Sequence, residues 1–311
     1  MESFFIGDVI RKRRKELKLS QEKLAEGICD HVTISRLENG VQAPSHRIVT
    51  RLMERLDLPS DKYIAYLSQD ELALEYLYKE INSLTYLYEK ASASEKADLR
   101  ESCLALIDKL QTLSGNDICA RQLIARTELF LNTSTKPFSP SEERRQLTEI
   151  LRMTNPNFSI HNLSVGLYTE CDIVTINQIA VTYVNEKDLI TATLIWKQLY
   201  EHAKIHFKHR ARSCHLNLII HNLCQVLIGI GSYQEANQLA KEGYDFCLKY
   251  GCYQSLPGIL GAMAESSHFL GNDEDSKEIY IQTYYLCKTL KQTSTLSAVC
   301  SDAKKYLNLT F

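Results

Sequence analysis

Hydrophobic side chains recur at helical spacing along most of this chain. From about residue 70 to the C-terminus, apolar positions repeat every three or four residues and are separated by short breaks such as SGND, TKPFSP and GND. That period is typical of amphipathic helices, whereas a strand alternates every second residue. No alternating run of useful length occurs. The pattern therefore predicts an all-α fold, with helices at 71–91, 95–113, 117–132, 141–153, 162–184, 188–206, 209–230, 234–250, 254–270, 273–290 and 293–307.

The first 70 residues contain shorter helical segments with recognisable ends. Ser20 and Asp30 are suited to be N-caps, because their side-chain oxygens can accept hydrogen bonds from the free N–H groups of a first helical turn. Gly40 can adopt the left-handed conformation that ends a helix. Five helices are expected here: VIRKRRKEL (9–17), a second after Ser20, a third after Asp30, a fourth from Pro44-Ser45 and a fifth from Leu58-Pro59-Ser60.

The second and third of these helices are joined by a tight turn at Gly27–Asp30 and follow a strongly basic helix. Such a pair can place the end of its second helix in the major groove of DNA. On the third helix Ile34 and Leu37 must face the core, which leaves the remaining side chains to point outward. Methyl groups there can contact thymine, and donors can reach base edges or phosphates. The predicted DNA-binding residues are Arg11, Lys12, Gln21, His31, Val32, Thr33, Ser35 and Arg36.

The stretch RKRRKELKLSQEKLAEGICDHVTISRLENG resembles the lambda-repressor and Cro-type (XRE) helix-turn-helix family. Its SQEKLA and TISRLENG blocks are among the more specific signatures of that family. The resemblance implies a scaffold ion pair between Arg14 and Glu38, and a DNA-binding domain over residues 1–68. The charge of this segment is nearly balanced, so phosphate neutralisation gives modest affinity per monomer. A homodimer that reads an inverted repeat would supply the missing affinity.

Internal similarity is visible in the second half of the chain. The segments DLITATLIWKQLYEHA (188–203), SYQEANQLAKEGYDFC (232–247) and DEDSKEIYIQTYYLC (273–287) share a pattern of small and large positions. Their small residues, Ala192, Ala236 and Ser276, lie 44 and then 40 residues apart, and Gly231 and Gly271 occupy matching turns. This spacing is typical of tetratricopeptide-like helix pairs, which stack into a superhelix with a concave surface. Residues 69–311 are expected to form this repeat domain.

A concave repeat surface suits an extended peptide, whose unpaired backbone groups can bond with carboxamide side chains. Asn177 and Asn222 lie at matching repeat positions and would form a ladder, although each can instead be satisfied within its own helix. An arginine on a groove helix could clamp a peptide carboxylate, with a surface ion pair as the alternative. The predicted peptide-binding residues are Asn177, Gln178, Tyr183, Asn222, Glu265 and Arg126.

A helix-turn-helix domain followed by such repeats resembles the peptide-pheromone receptors of Gram-positive bacteria, the Rap, Rgg, NprR, PlcR and PrgX group. The segment LAEGICDHVTISRLENG is most similar to the PlcR and NprR branch. The resemblance implies that Asn177 and Asn222 contact a signalling peptide, and that the chain is a dimeric transcriptional regulator. Two alternatives remain: a regulator whose repeats serve only dimerisation or protein docking, and a Rap-type protein that does not bind DNA.

Composition limits the classes of protein to which the chain can belong. The 311 residues are 44% hydrophobic and carry a net charge of −2, with only 12 Gly and 6 Pro. No signal peptide and no apolar run near the roughly 20 residues of a membrane span are present, so a cytosolic protein is expected. The ten cysteines form no CxxC pair and are interpreted as small core residues. His202 and His206 lack the glutamate of a zinc motif. No enzyme activity, cofactor or metal is expected.

Overall fold

The structure, a computed structural model, describes residues 6–41, 44–58, 69–91, 94–135, 138–163, 166–206 and 210–311. Within these ranges all regular structure is helical, which confirms the predicted all-α fold. The helices are α1 (Ile6–Glu16), α2 (Gln21–Ala25), α3 (His31–Glu38), α4 (His46–Arg55), α5 (Gln69–Lys90), α6 (Lys96–Ser114), α7 (Ile118–Thr133), α8 (Pro140–Arg152), α9 (Glu170–Asn185), α10 (Leu189–His206), α11 (Arg210–Gly229), α12 (Tyr233–Tyr250), α13 (Leu256–Phe269), α14 (Asp273–Leu290) and α15 (Thr293–Leu307).

Most predicted helices agree with these bounds to within one or two residues, but the helix predicted over 162–184 begins too early. Helix α9 starts only at Glu170. The Thr169 N–H donates to Asp172 Oδ2 at 2.8 Å, and the Asp172 N–H donates to Thr169 Oγ1 at 3.3 Å. These reciprocal bonds cap the helix at Thr169 and satisfy its first free donors. The fifth N-terminal helix, predicted from Leu58-Pro59-Ser60, lies outside the described residues.

The chain divides into two compact units. The first consists of residues 1–160 and 165–179, and the second of residues 161–164 and 180–311. The first unit therefore holds α1 to α8 with the start of α9. The second holds the end of α9 and α10 to α15.

Two hydrophobic clusters lie in the described part of the first unit. Helices α1 to α4 are too short to be stable alone, because isolated helices below about 12–15 residues are marginal in water. They share a core in which Ile10, Leu24, Ile34, Leu37, Leu52 and Leu56 are fully buried. Helices α5, α6 and α7 pack around a second cluster that includes Leu77, Ile81, Cys103, Ile107, Leu110, Leu123 and Leu131.

The second unit is a stack of helix pairs. Each helix from α10 to α15 packs on the next, and the alternate helices α11, α13 and α15 also contact one another. Ala192, Ala236 and Ser276 are fully buried, which is the role that the repeat pattern predicts for them. Gly231 and Gly271 have φ of 80° and 82° at their turns. The predicted tetratricopeptide-like arrangement is thus confirmed for these helices.

The cysteines in the described part of the chain are free thiols. Six of them, including Cys224 and Cys247, are buried, as expected for small core residues. Burial raises the pKa of the Cys224 thiol to about 12, which keeps it protonated and unreactive. Among the described helices, none is long and apolar enough to pass through a bilayer.

The half-buried His221 makes the stability of the second unit depend on pH. The His221 ring lies against Gly258, and burial lowers the pKa of His221 below its ordinary value of 6.5. Below that value the unfolded chain binds a proton that the folded chain excludes, so stability falls on acidification. We expect the urea midpoint to drop less between pH 7.5 and pH 5.5 in His221→Gln than in the wild type. An equal drop in both proteins would contradict this assignment.

Candidate functional site

Helix α3 is held in place by a cap at each end. Asp30 Oδ1 accepts a hydrogen bond from the Val32 N–H at 2.7 Å, as predicted for its N-cap. Gly40 has φ of 69°, and the Val41 N–H donates to the Arg36 carbonyl at 2.9 Å. This left-handed end satisfies the last carbonyls of α3. In the preceding helix, Ser20 Oγ accepts from the Lys23 N–H at 3.1 Å.

A buried ion pair joins the three helices around the turn. Arg14 donates through Nε to Glu38 Oε1 at 2.6 Å and through Nη2 to Glu38 Oε2 at 2.7 Å. Gln21 Nε2 donates to Glu38 Oε2 at 2.8 Å. Burial acts to raise the pKa of Glu38, but the bonds from Arg14 and Gln21 outweigh it and the pKa lies below its usual value. The implied Arg14–Glu38 scaffold pair is therefore present.

The Gln21 side chain, predicted to contact a phosphate, also makes a hydrogen bond within the protein. One N–H of its side-chain amide is already directed at the buried Glu38. This bond locks the start of α2 to the end of α3, so the structure gives Gln21 a positioning role within the helix-turn-helix. A contact between Gln21 and phosphate stays a prediction.

The remaining predicted DNA-binding residues lie on the surface of the first unit. Ile34 and Leu37 are fully buried, and the opposite side of α3 is turned outward. His31, Val32 and Arg36 are exposed, whereas Thr33 and Ser35 are half-buried. On α1, Arg11 and Lys12 are exposed. Helix α3 thus presents a mixed face of donors and methyl groups of the kind that reads base edges.

Three arginines on α4, which the sequence interpretation did not single out, point away from this surface. They recur at i, i+4 and i+8, so they share one face of the helix. Arg47 pairs with Asp117 and donates to the Tyr78 hydroxyl at 2.8 Å, and the guanidinium of Arg51 lies 4.5 Å from the Tyr78 ring centre. Within the first unit, the two arginines therefore attach α4 to α5 and to the start of α7.

The third arginine connects the helix-turn-helix turn to α8. Arg55 donates to the carbonyls of Leu24 at 3.3 Å and Thr154 at 2.9 Å, and also to that of Glu26. A Cβ built on Gly27 would overlap the carbonyl oxygen of Thr154, so the turn lies directly on this backbone. One buried guanidinium thus joins the end of α2 to the end of α8.

The same backbone segment is bonded to the first turn of α9. Thr154 Oγ1 donates to Asp172 Oδ1 at 2.6 Å, and Gln122 Nε2 donates to that oxygen at 2.7 Å. All three side chains are fully buried. The start of α9, the helix that carries Asn177, is therefore linked through hydrogen bonds to the turn between α2 and α3.

The first unit contains three of the predicted peptide-binding residues. Asn177 is buried at 7% exposure, and Gln178 is half-buried, with an Oε1 that accepts no hydrogen bond from any described residue. Arg126 is also buried, and its Nη2 donates to Asn82 Oδ1 at 3.0 Å. The Arg126 guanidinium thus binds α5 in this structure, and its predicted clamp would require that bond to be exchanged.

The second unit contains the other three, Tyr183, Asn222 and Glu265, all half-buried. Glu265 Oε1 accepts a hydrogen bond from the Tyr306 hydroxyl at 2.7 Å, and burial raises the pKa of Glu265. In the same unit, His202 and His206 are buried and their rings stack at 4.3 Å. Nowhere in the described ranges do three His, Cys, Asp or Glu side chains come together to hold a metal ion.

Comparisons with known proteins agree with this geometry. Residues 10–63 match the model of a helix-turn-helix family. No curated protein matches the chain in sequence. Among solved structures, PlcR of Bacillus thuringiensis, determined in complex with the peptide PapR7 and DNA, is 15% identical with a TM-score of 0.60. That alignment covers 95% of this chain and 98% of PlcR.

Two further solved structures align along nearly their whole length. The apo form of the competence regulator ComR from Streptococcus vestibularis is 14% identical, with a TM-score of 0.49 and coverage of 96% of this chain and 97% of ComR. The SHP pheromone receptor Rgg2 of Streptococcus dysgalactiae is 15% identical, with a TM-score of 0.49 and coverage of 97% and 99%. The chain therefore has an N-terminal helix-turn-helix and the fold of PlcR.

Proposed function

We propose that this chain is a cytoplasmic transcriptional regulator that binds an inverted-repeat DNA operator as a homodimer and is controlled by a short signalling peptide. The observation that carries the proposal is the outward face of α3. His31, Val32 and Arg36 are exposed there on a helix whose position is set by the buried Arg14–Glu38 pair. The match of residues 10–63 to a helix-turn-helix family supports the same reading.

We propose that two kinds of contact bind DNA: contacts to phosphates, which position the protein, and contacts to base edges, which recognise the sequence. Arg11 and Lys12 on α1 would neutralise phosphates, and Arg36 and Thr33 on α3 would contact base edges. We place the DNA-binding function in residues 1–68, and dimerisation and peptide binding in residues 69–311. These boundaries are functional and differ from the structural ones. In the structure, α1 to α4 pack in one compact unit with α5 to α8.

The interface can be tested with an operator selected from random DNA by the wild-type protein. Arg36→Ala should lower specific affinity by about 1–3 kcal/mol and relax the base preference at one position. Arg11→Ala should weaken binding to all sequences and reduce the slope of log K against log salt by about 0.9 per half-site. Fluorescence anisotropy from 50 to 300 mM salt measures both effects.

Arg145→Ala is the matched control for this experiment. It removes one exposed arginine from α8, where the side chain pairs only with Glu142 and Glu149 in the described part of the chain. Its affinity and salt slope should equal those of the wild type. If Arg145→Ala weakened binding as much as Arg36→Ala, net charge rather than the α3 face would explain the affinity.

Peptide control is supported by the fold shared with PlcR, which was determined with the peptide PapR7 and DNA. The side chains proposed to contact the peptide are those predicted from the sequence, Asn177, Gln178, Tyr183, Asn222, Glu265 and Arg126. Carboxamides at successive repeats can pair with both the N–H and C=O groups of an extended backbone. A peptide alters DNA binding only through its different affinity for two states of the receptor.

Operator binding with and without peptide tests this part of the proposal. The peptides are synthesised from short reading frames that neighbour the gene. A change in operator affinity on peptide addition is expected in the wild type and lost in Asn177→Ala/Asn222→Ala. Asn185→Ala, which alters an exposed asparagine at the end of α9, should respond like the wild type. Operator binding indifferent to every peptide would favour the alternative, in which the repeats serve dimerisation or protein docking.

A further inference from the structure

An acidic and aromatic cluster lies between the last three helices of the second unit. It consists of Glu265 on α13, Tyr280 on α14, and Asp302 and Tyr306 on α15. Helices α13 and α15 contact each other directly, and the Tyr306 hydroxyl donates to Glu265 Oε1 at 2.7 Å. We call these four residues the C-terminal acidic cluster. Sequence interpretation had singled out only Glu265 among them.

Neither carboxylate of the cluster forms a direct ion pair in the described part of the chain, although Lys305 lies near enough for its charge to act on both. Glu265 and Asp302 are both half-buried, and burial raises the pKa of each. No described lysine, arginine or histidine forms an ion pair with either of them. The nearby Lys305 is exposed and donates to the Tyr306 hydroxyl at 2.9 Å. Burial outweighs the attraction of Lys305, so the lysine offsets their charge only in part, and two partly desolvated carboxylates favour the binding of a further cation.

The Tyr280 hydroxyl is a second, independent sign of a ligand. Tyr280 is only 1% exposed, and its hydroxyl has no hydrogen-bond partner among the described residues. Tyr280 belongs to the hydrophobic cluster against which Tyr306 packs, and the charges of Asp302 and Glu265 act on its phenol. A buried hydroxyl without a partner costs about 1–3 kcal/mol, which a bound donor or acceptor would recover.

Aromatic rings lie next to Tyr306 of the C-terminal acidic cluster. The Tyr306 ring centre lies 5.2 Å from that of His268 and 5.3 Å from that of Phe269. Phe269 stacks on Tyr233 at 4.5 Å, and the His268 Nδ1 is engaged by Asp273 Oδ1 at 2.7 Å. Aromatic faces beside carboxylates attract ammonium and guanidinium groups more strongly than carboxylates alone.

We propose that the C-terminal acidic cluster binds a cationic group of the signalling peptide, either its free amino terminus or a lysine or arginine side chain. Glu265 and Asp302 would accept its N–H groups, the Tyr280 hydroxyl would accept a further one, and the aromatic rings would pack against the adjoining methylene groups. The inference rests on the proposed peptide control and narrows it to a class of peptide.

The test uses the full-length protein and two random heptapeptide pools, one with free amino termini and one N-acetylated. Peptides retained by the protein are sequenced by mass spectrometry. Enrichment of lysine or arginine at one position in both pools points to a side chain, and retention of the free pool alone points to the amino terminus. Either enrichment should disappear with Glu265→Gln/Asp302→Asn. A retained cationic peptide should bind this variant about tenfold or more weakly, whereas its norleucine analogue should bind both proteins equally.

Tyr280→Phe separates a ligand contact from a structural role. It should weaken binding of the cationic peptide roughly three- to tenfold. The thermal midpoint of the free protein should stay unchanged or rise, because the substitution removes an unsatisfied buried hydroxyl. A lower midpoint would show that the hydroxyl is structural and would overturn its assignment. Retained peptides without cationic enrichment, or with enrichment that persists in Glu265→Gln/Asp302→Asn, would overturn the inference but leave peptide control intact. Retention of no peptide would overturn both.

Discussion

Arg14→Met is expected to lower the free energy of unfolding of the helix-turn-helix by about 3–5 kcal/mol. The substitution leaves the Glu38 carboxylate, whose side chain is 1% exposed, without its bidentate partner. The Leu19 carbonyl also loses the bond that it accepts from Arg14 Nη1 at 2.7 Å. The only tryptophan, Trp196, lies in the second unit, so hydrogen exchange of residues 6–41 followed by mass spectrometry is the appropriate measurement. Operator binding should be lost together with the protection of α3.

Two further variants show whether the loss of stability comes from the unpaired Glu38 carboxylate. Arg14→Met/Glu38→Leu removes both charges, and it should recover a large part of the stability because well-packed apolar residues often replace a buried ion pair without loss. Lys12→Met removes an exposed charge from the same helix and should change stability by less than about 0.5 kcal/mol. Equal losses in the single and double variants would mean that packing of the Arg14 side chain, rather than its pairing with Glu38, stabilises the domain.

Gly27→Ala is the second substitution with a large expected effect, a loss of about 3–5 kcal/mol from two sources. Gly27 has φ of 70°, a conformation that an alanine adopts only with strain. The added Cβ would also overlap the carbonyl oxygen of Thr154, which is backbone and accepts the Arg55 bond. The turn must therefore move away from α8, and residues 21–41 should exchange hydrogen faster.

Gly231→Ala is the matched control, because Gly231 has φ of 80° at a helix end with open space around its Cβ position. This variant introduces the strain of a positive φ without the steric overlap, so the free energy of unfolding should fall by only about 1–2 kcal/mol. The difference between the two variants measures how tightly the turn rests on Thr154. If both variants lost the same stability, the close approach of Gly27 to α8 would contribute nothing, and the turn would be held by α1 to α4 alone.

Much of the DNA-reading surface follows from local sequence. Ser20, Asp30 and Gly40 define the ends of the short helices because capping depends on residues one to three positions apart. The inward positions of Ile34 and Leu37 follow from their spacing of three along a helix. The outward face of α3 could therefore be predicted without knowledge of the partners of the helix.

Other features were missed because their causes lie far apart in the chain. The bond from the Gln21 amide to Glu38, 17 residues away, is one such feature, and the predicted contact of Gln21 with phosphate stays a prediction. The arginines of α4 look like surface charges in the sequence, yet Arg55 contacts Thr154, 99 residues away. The late start of α9 has a local cause, the reciprocal cap of Thr169 and Asp172, which helical periodicity does not reveal. The bonds that Asp172 also accepts from Thr154 and Gln122 come from distant residues. Periodicity contains no information about such partners.

The sequence alone determined the helical class, the caps and outward face of α3, and the small-residue repeat at Ala192, Ala236 and Ser276, because each depends on spacing within one or two helices. Tertiary structure alone decided that α4 is attached to α5 and α7 by Arg47 and Arg51. It also decided that α9 is linked to the turn at Gly27, and that Glu265 accepts a hydrogen bond from Tyr306, 41 residues away. Buried charges and hydroxyls depend on which distant groups surround them, and only the packed chain brings those groups together.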